Sequence, residues 1–333
     1  MTMLTCKPAC ELPVTKEENR WLVQDLWAEE AVGVIGAEPK SMKSYFALEL
    51  AVAVASGVPC LRRFPVARRG RVLLYAAEDP LHVVRRRLEG ICAASGIGIK
   101  DLDVYVITDP TLRLDLEGVR RSLDAAITGL RPRFLILDPF VRLHRIDENA
   151  SGEVAPLLAF LRELQRRHGL AVLVVHHSKK GAGHMRAGQA LRGSSEFHAW
   201  GDSNAYIKRT GDDTVTLTVE HRAAPSIPPL TLELATNRVG VALRVVDRST
   251  PSVEPPSSID ERIIAILAER QEPIPFPKLR GQCRARSATV HQRLAALTLA
   301  GRVSKSPLGY RLVGGVQELQ TRHEEDLDDP DSP

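Results

Sequence analysis

Short apolar runs rich in Val, Ile and Leu alternate with longer amphipathic segments from residue 31 to residue 175. Runs of this length are typical of buried strands, and the segments between them have the periodicity of helices. Strands that are separated by helices pair in parallel and are covered on both faces. The predicted strands are residues 31–35, 71–76, 104–107, 134–137 and 171–175, and the predicted helices are residues 44–56, 81–95, 116–128 and 152–168.

After residue 203 the strand-like segments follow one another without room for helices. Closely spaced strands with a turn between them pair antiparallel, and Asp212 and Asp213 fit such a turn. The predicted fold class is therefore α/β, a parallel sheet flanked by helices with an antiparallel extension. The strands of the extension are predicted at residues 205–208, 214–220, 231–235 and 241–246.

Composition changes near both ends of the chain. The first 30 residues lack the strand–helix pattern, apart from an amphipathic stretch around Trp21, Leu22, Leu26 and Trp27. Three prolines among serines precede residue 259 and are typical of a linker. The predicted organisation is a lead-in at residues 1–30, a large domain at 31–248, a linker at 249–258, a small domain at 259–314 and an acidic, disordered tail at 315–333.

The net charge of +4 is too small to indicate nucleic-acid binding by itself, but the charges are unevenly distributed. Residues 257–313 carry ten basic and four acidic side chains, whereas the charged residues after 316 are mostly acidic. A basic small domain followed by an acidic tail is predicted. The ten basic residues are Arg262, Arg270, Lys278, Arg280, Arg284, Arg286, Arg293, Arg302, Lys305 and Arg311.

The chain has no features of a membrane or secreted protein. No apolar run reaches the roughly 20 residues that a membrane-spanning helix needs, and no apolar segment of a signal peptide follows the N-terminus. The five cysteines are odd in number and irregularly spaced, and Cys6 and Cys10 lack the second pair that a zinc site needs. We therefore expect a cytoplasmic protein with reduced thiols.

A candidate phosphate-binding loop lies between the first predicted strand and the first predicted helix. Backbone N–H groups at the start of such a helix bind phosphates, with help from the helix dipole. In this setting a lysine bridges the β- and γ-phosphates and the next hydroxyl ligates Mg²⁺, and these roles would fall to Lys43 and Ser44. The loop consists of Gly36, Ala37, Glu38, Pro39, Lys40, Ser41, Met42, Lys43 and Ser44.

The loop departs from the standard pattern at both glycine positions. Ala37 and Met42 stand where glycines are usual, and Gly36 is displaced by one residue. Glycine is used at such positions because it allows positive φ and close approach of the backbone. The alternative interpretation is that Lys43 and Ser44 simply begin a helix.

Two further predicted strands end in carboxylates. Asp138 follows residues 134–137, and Glu78 follows residues 71–76. The carboxyl ends of parallel strands face a shared crevice, in which Asp138 would hold Mg²⁺ and Glu78 would orient the attacking water. Alternatively, Asp138 begins a turn before Pro139.

A third predicted strand ends in polar residues, His176 and His177. We expect one of them to sense the γ-phosphate or a bound partner, although a lone histidine is more often a satisfied polar group. Asp79, which precedes Pro80, is expected to cap the helix that follows.

Taken in order, these segments resemble the RecA/DnaB-type ATPases, and among them the RepA-like hexameric helicases of plasmids and other mobile elements. The ordered set is more specific than any one member, and the resemblance covers about residues 22–246. The segments are residues 36–44, 75–80, 135–139, 174–179 and 191–195, followed by Trp200 and Asp202.

The resemblance implies a RecA-like fold, ATP and Mg²⁺ as cofactors, and a homo-oligomer in the form of a hexameric ring that encloses single-stranded DNA. The implied roles are nucleotide binding for Lys43, Mg²⁺ binding for Ser44 and for Asp138 as the Walker B acid, catalysis for Glu78, and linkage of nucleotide to DNA for His177, alone or together with His176.

In these helicases a Lys-x-Arg pair on a late strand reaches the γ-phosphate of the neighbouring subunit. The matching residues are Glu220 and Arg222, so that Arg222 is a candidate arginine finger while the lysine is replaced. The loop at residues 181–189, with Lys179, Lys180 and Arg186, would face the ring channel. Basic loops of this kind suit single-stranded DNA, and a solvated surface loop is the alternative.

The small domain resembles a winged helix-turn-helix, with helices at residues 259–269, 276–283 and 287–299 and a two-stranded wing at residues 302–313. Arginines suit phosphates and guanine edges, so duplex DNA is an expected partner. Winged helices also dock proteins, which remains an alternative. The expected DNA-facing residues are Arg284, Arg286, Thr289, His291, Gln292 and Arg293 near the recognition helix and Arg302, Lys305 and Arg311 on the wing.

The sequence leaves three functional hypotheses open. The first is a DNA-stimulated ATPase that acts as a ring helicase in the replication of a mobile element. The second is a nucleotide-dependent DNA-binding regulator that hydrolyses ATP slowly. The third is a recombination mediator that assembles with partner ATPases.

Overall fold

The computed structural model describes residues 6–12, 20–177, 196–211, 213–246, 259–268, 272–283 and 287–313 of the chain. The chain divides into two compact units, Met1–Arg248 and Ser249–Pro333. Several expectations concern residues outside the described part, namely the linker at 249–258, the tail at 315–333, the loop at 181–189 with Lys179 and Lys180, the run at 191–195, Asp212, Arg284 and Arg286.

The first unit is built around one large sheet. The strands of this unit are β1 (Trp21–Val23), β2 (Trp27–Ala28), β3 (Val32–Ala37), β4 (Val72–Ala76), β5 (Val104–Val106), β6 (Phe134–Asp138), β7 (Ala171–His177), β8 (Ser203–Arg209), β9 (Thr214–His221), β10 (Leu230–Thr236) and β11 (Val241–Val245). The order in the sheet is β11-β10-β9-β8-β3-β7-β6-β4-β5 within the described residues. The pairs from β8 to β5 are parallel, and the three pairs from β8 to β11 are antiparallel.

Helices cover both faces of the sheet. The helices are α1 (Lys43–Ser56), α2 (Leu81–Ala94), α3 (Glu117–Leu130), α4 (Ser151–His168) and α5 (Glu196–Trp200). On each strand alternate residues point to opposite faces, so that Ile35 belongs to the core under α1 and α2, whereas Val34 belongs to the core under α3, α4 and α5. The predicted mixed α/β fold with a mostly parallel sheet is confirmed.

The lead-in differs from its prediction. β1 and β2 form a short antiparallel hairpin, and Asp25 has a φ of +59° between them. Trp27 is fully buried, with its ring centroid 6.1 Å from that of Phe134, and Leu22 and Leu26 join the same core. Strands of two or three residues are too short to show a period of two, so only their burial in the tertiary structure reveals them.

One glycine is required by the packing of the sheet. A Cβ on Gly33 of β3 would lie 1.6 Å from the carbonyl oxygen of Ser203 and 3.0 Å from the Trp27 ring. Gly33 therefore allows β3, β8 and the hairpin to pack closely, and any larger residue would have to move backbone atoms.

The second unit has a separate small core. Ile263, Leu279, Val290 and Leu294 are buried, and Tyr310 joins them while its backbone pairs with Ile274. Among the helices of the described part, none has the length and apolar character needed to cross a bilayer. The elements are α6 (Ile259–Ala268), α7 (Phe276–Cys283), α8 (Ser287–Leu299) and a hairpin of β12 (Val303–Ser306) and β13 (Gly309–Leu312).

Candidate functional site

The loop between β3 and α1 adopts backbone conformations that glycine normally supplies. Met42 has a φ of +66° and Lys40 a φ of +62°. A left-handed conformation costs a residue with a Cβ about 1–2 kcal/mol. Ala37 is instead the last residue of β3 and pairs with His177 and Ile207 on either side. Of the two positions where glycine is usual, only the one occupied by Met42 is therefore strained.

Lys43 begins α1 with its side chain turned back over the loop. Its Nζ donates a hydrogen bond of 3.0 Å to the carbonyl oxygen of Glu38, and the Ser41 hydroxyl donates to the same oxygen. Burial lowers the pKa of Lys43, while the charges of Asp138 and Glu78 raise it. The loop thus curls around a largely buried ammonium group.

Asp138 and Ser44 form the second element of the site. The Ser44 side chain is hydrogen-bonded to Asp138 at the end of β6. Burial raises the pKa of Asp138 to about 6; Ser44 and Lys43 oppose this rise, whereas Asp79 and Glu78 add to it. A hydroxyl and a carboxylate are hard oxygen donors of the kind that Mg²⁺ prefers.

No group of three or more His, Cys, Asp or Glu side chains in the described ranges is arranged to hold a metal ion. Mg²⁺ does not need such a group, because it is usually bound by one or two protein oxygens and completes its shell with water and substrate phosphates. Ser44 and Asp138 would hold the ion here.

β4 brings a second carboxylate to the same edge of the sheet. Ala76 of β4 pairs with Asp138 of β6, and Glu78 follows two residues later. Arg142 donates from Nε to Glu78 Oε1 over 3.3 Å, and both side chains are substantially exposed. Glu78 is therefore accessible from solvent and from the cavity described next.

One cavity of about 470 Å³ brings these groups together. Lys43, Ser44, Glu78, Asp138 and His177 all line it, as do Pro39, Lys40, Ser41 and Met42 of the loop. Gly36 and Ala37 lie in β3 rather than in its wall, and Glu38 contributes the carbonyl oxygen that receives Lys43.

The two histidines at the end of β7 lie on opposite faces. His177 lines the cavity, and burial followed by the Lys43 charge lowers its pKa. His176 lies in the core on the other face, where its ring stacks on Phe197 with a centroid distance of 4.2 Å and meets Phe140 edge-on. Of the two candidates, His177 is thus the one placed to contact a ligand.

Arg222 does not join the cavity of its own chain. β9 runs antiparallel to β8 and pairs His221 with Ser203, so Arg222 emerges at the opposite edge of the sheet. Its guanidinium lies 3.2 Å from Asp202 and donates to the carbonyl oxygens of Ala199 and Gly201. Any contact with a nucleotide would have to be made in a neighbouring subunit.

Several cavity residues were missed by the sequence reasoning. Tyr45 and Arg87 line the wall beside the loop, with Asp79, which was expected only as a helix cap. Arg209 is the last residue of β8, and Asp213 lies in the connection to β9. The end of β8 could have been anticipated, because β8 is parallel to β3 and ends at the same edge, whereas no sequence signal marks Arg87.

The second unit presents basic side chains, most of them exposed. Arg293 of α8 is paired with Asp260, to which its Nε donates over 2.7 Å. The His291 ring contacts Phe276 at 5.5 Å, and the Lys305 ammonium lies 5.9 Å from the Tyr310 ring centroid. The described exposed cations of this unit are Lys278, Arg280, Arg293, Arg302, Lys305 and Arg311.

A mostly parallel sheet with a phosphate-type loop at its carboxyl edge, a lysine within that loop and a carboxylate beside the following hydroxyl together define the class of P-loop nucleotide-binding proteins. A family model described as an AAA domain matches residues 7–183. This match spans more than half of the chain, and the protein therefore belongs to that family of ATPases.

Proposed function

We propose that the protein hydrolyses ATP with Mg²⁺ and uses the energy on DNA, as a ring helicase of the RepA type. The observation that supports the chemistry is the convergence of Lys43, Ser44, Glu78, Asp138 and His177 on one cavity. An ammonium group, a hydroxyl–carboxylate pair and a further carboxylate are the groups that phosphoryl transfer to water needs.

Each residue has a distinct role in this proposal. Lys43 binds the β- and γ-phosphates, and the loop N–H groups orient them. Ser44 and Asp138 would hold Mg²⁺, which would neutralise charge on the phosphates. Glu78 orients the attacking water and accepts its proton at the carboxylate. His177 contacts the γ-phosphate and links the state of the nucleotide to DNA binding.

The link to DNA is supported by different observations. Arg222, at the opposite edge of the sheet, would act on the nucleotide of a neighbouring subunit, as the arginine finger of a hexameric ring. The second unit would be a winged helix in which α8 and the β12–β13 hairpin meet duplex DNA. Its exposed cations would bind phosphates, and Arg293 would contribute less because Asp260 already pairs with it.

A nucleotide-dependent regulator with slow turnover is the second candidate. Met42 introduces strain into the loop with its φ of +66°, Arg142 pairs with the candidate catalytic carboxylate, and Glu220 replaces a lysine. All three features would slow hydrolysis without preventing nucleotide binding. A recombination mediator is a weaker variant of this candidate.

The experiment is ATP hydrolysis by the full chain with and without single-stranded DNA, beside a measurement of assembly mass. The helicase proposal expects hydrolysis that DNA stimulates, a ring-sized assembly, and a loss of about 100-fold in Glu78→Gln. Slow turnover with ATP-dependent DNA binding would favour the regulator. Absence of any affinity for Mg·ATP would overturn both candidates.

A further inference from the structure

The second unit has an open groove between α8 and the β12–β13 hairpin. Two cavities of about 480 Å³ and about 330 Å³ form it, and they adjoin because His291, Lys305 and Tyr310 line both. The first cavity is lined by α8 and the hairpin alone. The second is lined mainly by the hairpin and its turn, and by Pro275 and Phe276 at the start of α7. A ligand in this groove would contact α8 and the hairpin together.

The groove exposes apolar side chains to solvent. Leu299, the last residue of α8, is 92% exposed and lines the first cavity. Leu308, in the turn of the hairpin, is 74% exposed and lines the second cavity. Apolar side chains gathered at a concave surface are typical of an interaction site. The phosphates of DNA make no use of such side chains, so the groove suits a ligand that carries an apolar group of its own.

The hairpin places the cations of its two strands on opposite faces. Lys305 pairs with Tyr310 across the hairpin and both line the groove, with the ammonium 5.9 Å from the ring centroid. Ser304 pairs with Arg311, whose Nε donates to the Ser304 hydroxyl over 3.1 Å. Neighbouring residues of a strand point to opposite faces, so Lys305 faces the groove and Arg311 faces away. None of the residues that line the two cavities, all of them in the described part, is a carboxylate.

The chain continues beyond the hairpin with a segment of matching chemistry. Residues 324–329 have the sequence Glu-Glu-Asp-Leu-Asp-Asp, in which Leu327 is the single apolar side chain among five carboxylates. Leu327 lies 14 residues after Val313, whose backbone N–H donates to the carbonyl oxygen of Arg302 at the base of the hairpin. Fourteen residues span up to about 45 Å, whereas a unit of this size has a radius of gyration of about 10 Å. The segment is therefore long enough to reach the groove of its own unit.

We propose that the groove binds the acidic segment 324–329 of the same chain, with Leu327 against Leu299 and Leu308 and the flanking carboxylates beside Lys305. A tethered segment has an effective concentration of about 1 mM. A contact with a dissociation constant on the order of 100 μM is therefore enough to keep the groove mostly occupied. The bound segment covers the face that duplex DNA would meet and so lowers the affinity for DNA. This last consequence, unlike the binding of the segment, rests on the proposed function.

The test is the fluorescence anisotropy of a labelled peptide of residues 315–333, titrated with the full chain and with a chain that stops after Gly314. The stop keeps every element that the structure describes. The shortened chain is expected to bind the peptide with a dissociation constant on the order of 100 μM. The full chain should bind it about ten-fold more weakly, because its own tail competes. Equal affinities for the two chains would show that the tail does not occupy the groove and would overturn the proposal.

Matched variants show whether the contact is specific. Leu327→Ser in the peptide should weaken binding by about ten-fold, whereas Leu319→Ser, outside the acidic segment, should not. In the shortened chain, Lys305→Gln and Leu308→Ser should each weaken binding by about five-fold. Arg311→Gln removes the same charge from the other face of the hairpin and should have no effect. If Arg311→Gln acts like Lys305→Gln, or if the Leu327→Ser peptide binds as tightly as the original, the attraction is a general one between opposite charges and the proposed site is refuted.

Duplex DNA separates this inference from the proposed function. Leu327→Ser in the full chain leaves the net charge unchanged and should bind a short duplex about five-fold more tightly than the wild type. Unchanged affinity for the duplex would refute the inhibition of DNA binding. Duplex binding without any binding of the peptide would assign the groove to DNA and overturn the proposal. If neither the wild type nor the shortened chain binds duplex DNA, the proposed DNA contact of the second unit fails, while the peptide titration still decides whether the segment binds.

Discussion

The two edges of the central sheet both carry charged side chains but hold them in different ways. At the carboxyl-terminal edge, burial lowers the pKa of Lys43 and raises that of Asp138 to about 6, so each environment opposes the charged form. At the amino-terminal edge, Asp202 is bound by Arg162 and Arg222, and it also accepts from the backbone N–H of Val32.

The difference separates function from stability. Charges that satisfy one another, such as Asp202 and Arg162, connect elements of the fold and have little left to offer a ligand. Charges kept in a cavity at an energetic cost are typical of functional sites, because a ligand can supply the missing compensation. The comparison therefore predicts that substitutions at the carboxyl-terminal edge weaken ligand binding, whereas substitutions at the amino-terminal edge lower the stability of the fold.

The largest expected effect is that of Lys43→Ala. Removing the ammonium that faces the phosphates is expected to weaken nucleotide binding by about 100-fold. Because the buried cation is itself costly, the melting temperature should change by less than about 3 °C. Calorimetric titration measures the affinity, and thermal unfolding measures the melting temperature. A large loss of stability with normal nucleotide binding would show that Lys43 serves the fold and not the ligand.

Gly33→Ala tests the packing of β3 against β8. The added Cβ meets a backbone carbonyl oxygen at 1.6 Å, so the free energy of unfolding should fall by about 3 kcal/mol or more. Gly118→Ala is the control, since a Cβ there meets nothing within 4 Å and helix propensity favours alanine. Urea unfolding of both variants measures the effect, and equal stabilities would contradict this account of the packing.

Glu49 is an intermediate case, since it is buried yet paired. It lies 3.0 Å from Arg62 and accepts from the Leu243 N–H over 2.8 Å, but burial still raises its pKa to about 7. The folded state then holds a proton that the unfolded state has released, so stability should fall as pH rises from about 4.5 to about 7, by at most about 3 kcal/mol.

Glu49→Gln should flatten this pH dependence. Unfolding free energies at several pH values measure it, and the surface variant Glu163→Gln is the control. A stability that rises over this range in the wild type, and no longer does so in Glu49→Gln, would show that Arg62 rather than burial dominates at Glu49.

Asp202→Ala is expected to lower stability without changing the affinity for nucleotide. It leaves Arg162 and Arg222 without their shared carboxylate and should cost about 2 kcal/mol. Affinity for Mg·ATP should be unchanged because Asp202 lies at the opposite edge of the sheet. Loss of nucleotide affinity in a folded Asp202→Ala protein would show that the two edges are coupled.

The smallest expected effect concerns the loop strain at Met42. Glycine and alanine both remove the methionine side chain, but only glycine relieves the positive φ. Met42→Gly should therefore be more stable than Met42→Ala by about 1 kcal/mol. Thermal unfolding of the two variants measures the difference, and equal stabilities would place the strain elsewhere.

The sequence predicted the strands and their shared edge because local patterns encode them. Lys43, Glu78 and Asp138 each follow an apolar run, and the ends of parallel strands must converge. The choice of His177 over His176 depended on which face of the sheet each side chain occupies. Successive residues of a strand point to opposite faces, so a shift of one residue would move His177 from the cavity to the core. The hairpin around Trp27 was missed because its strands are too short to be periodic.

By itself the sequence determined the order of strands and helices, the loop at residues 36–44 and the carboxylates that follow the strands, since these depend on side-chain periodicity and on neighbours along the chain. Only the tertiary structure decided that Arg87 joins Tyr45 at the cavity, that Arg222 leaves it, and that Met42 adopts a glycine conformation. Those outcomes depend on which distant strands pair and in which direction, and such contacts leave no local pattern.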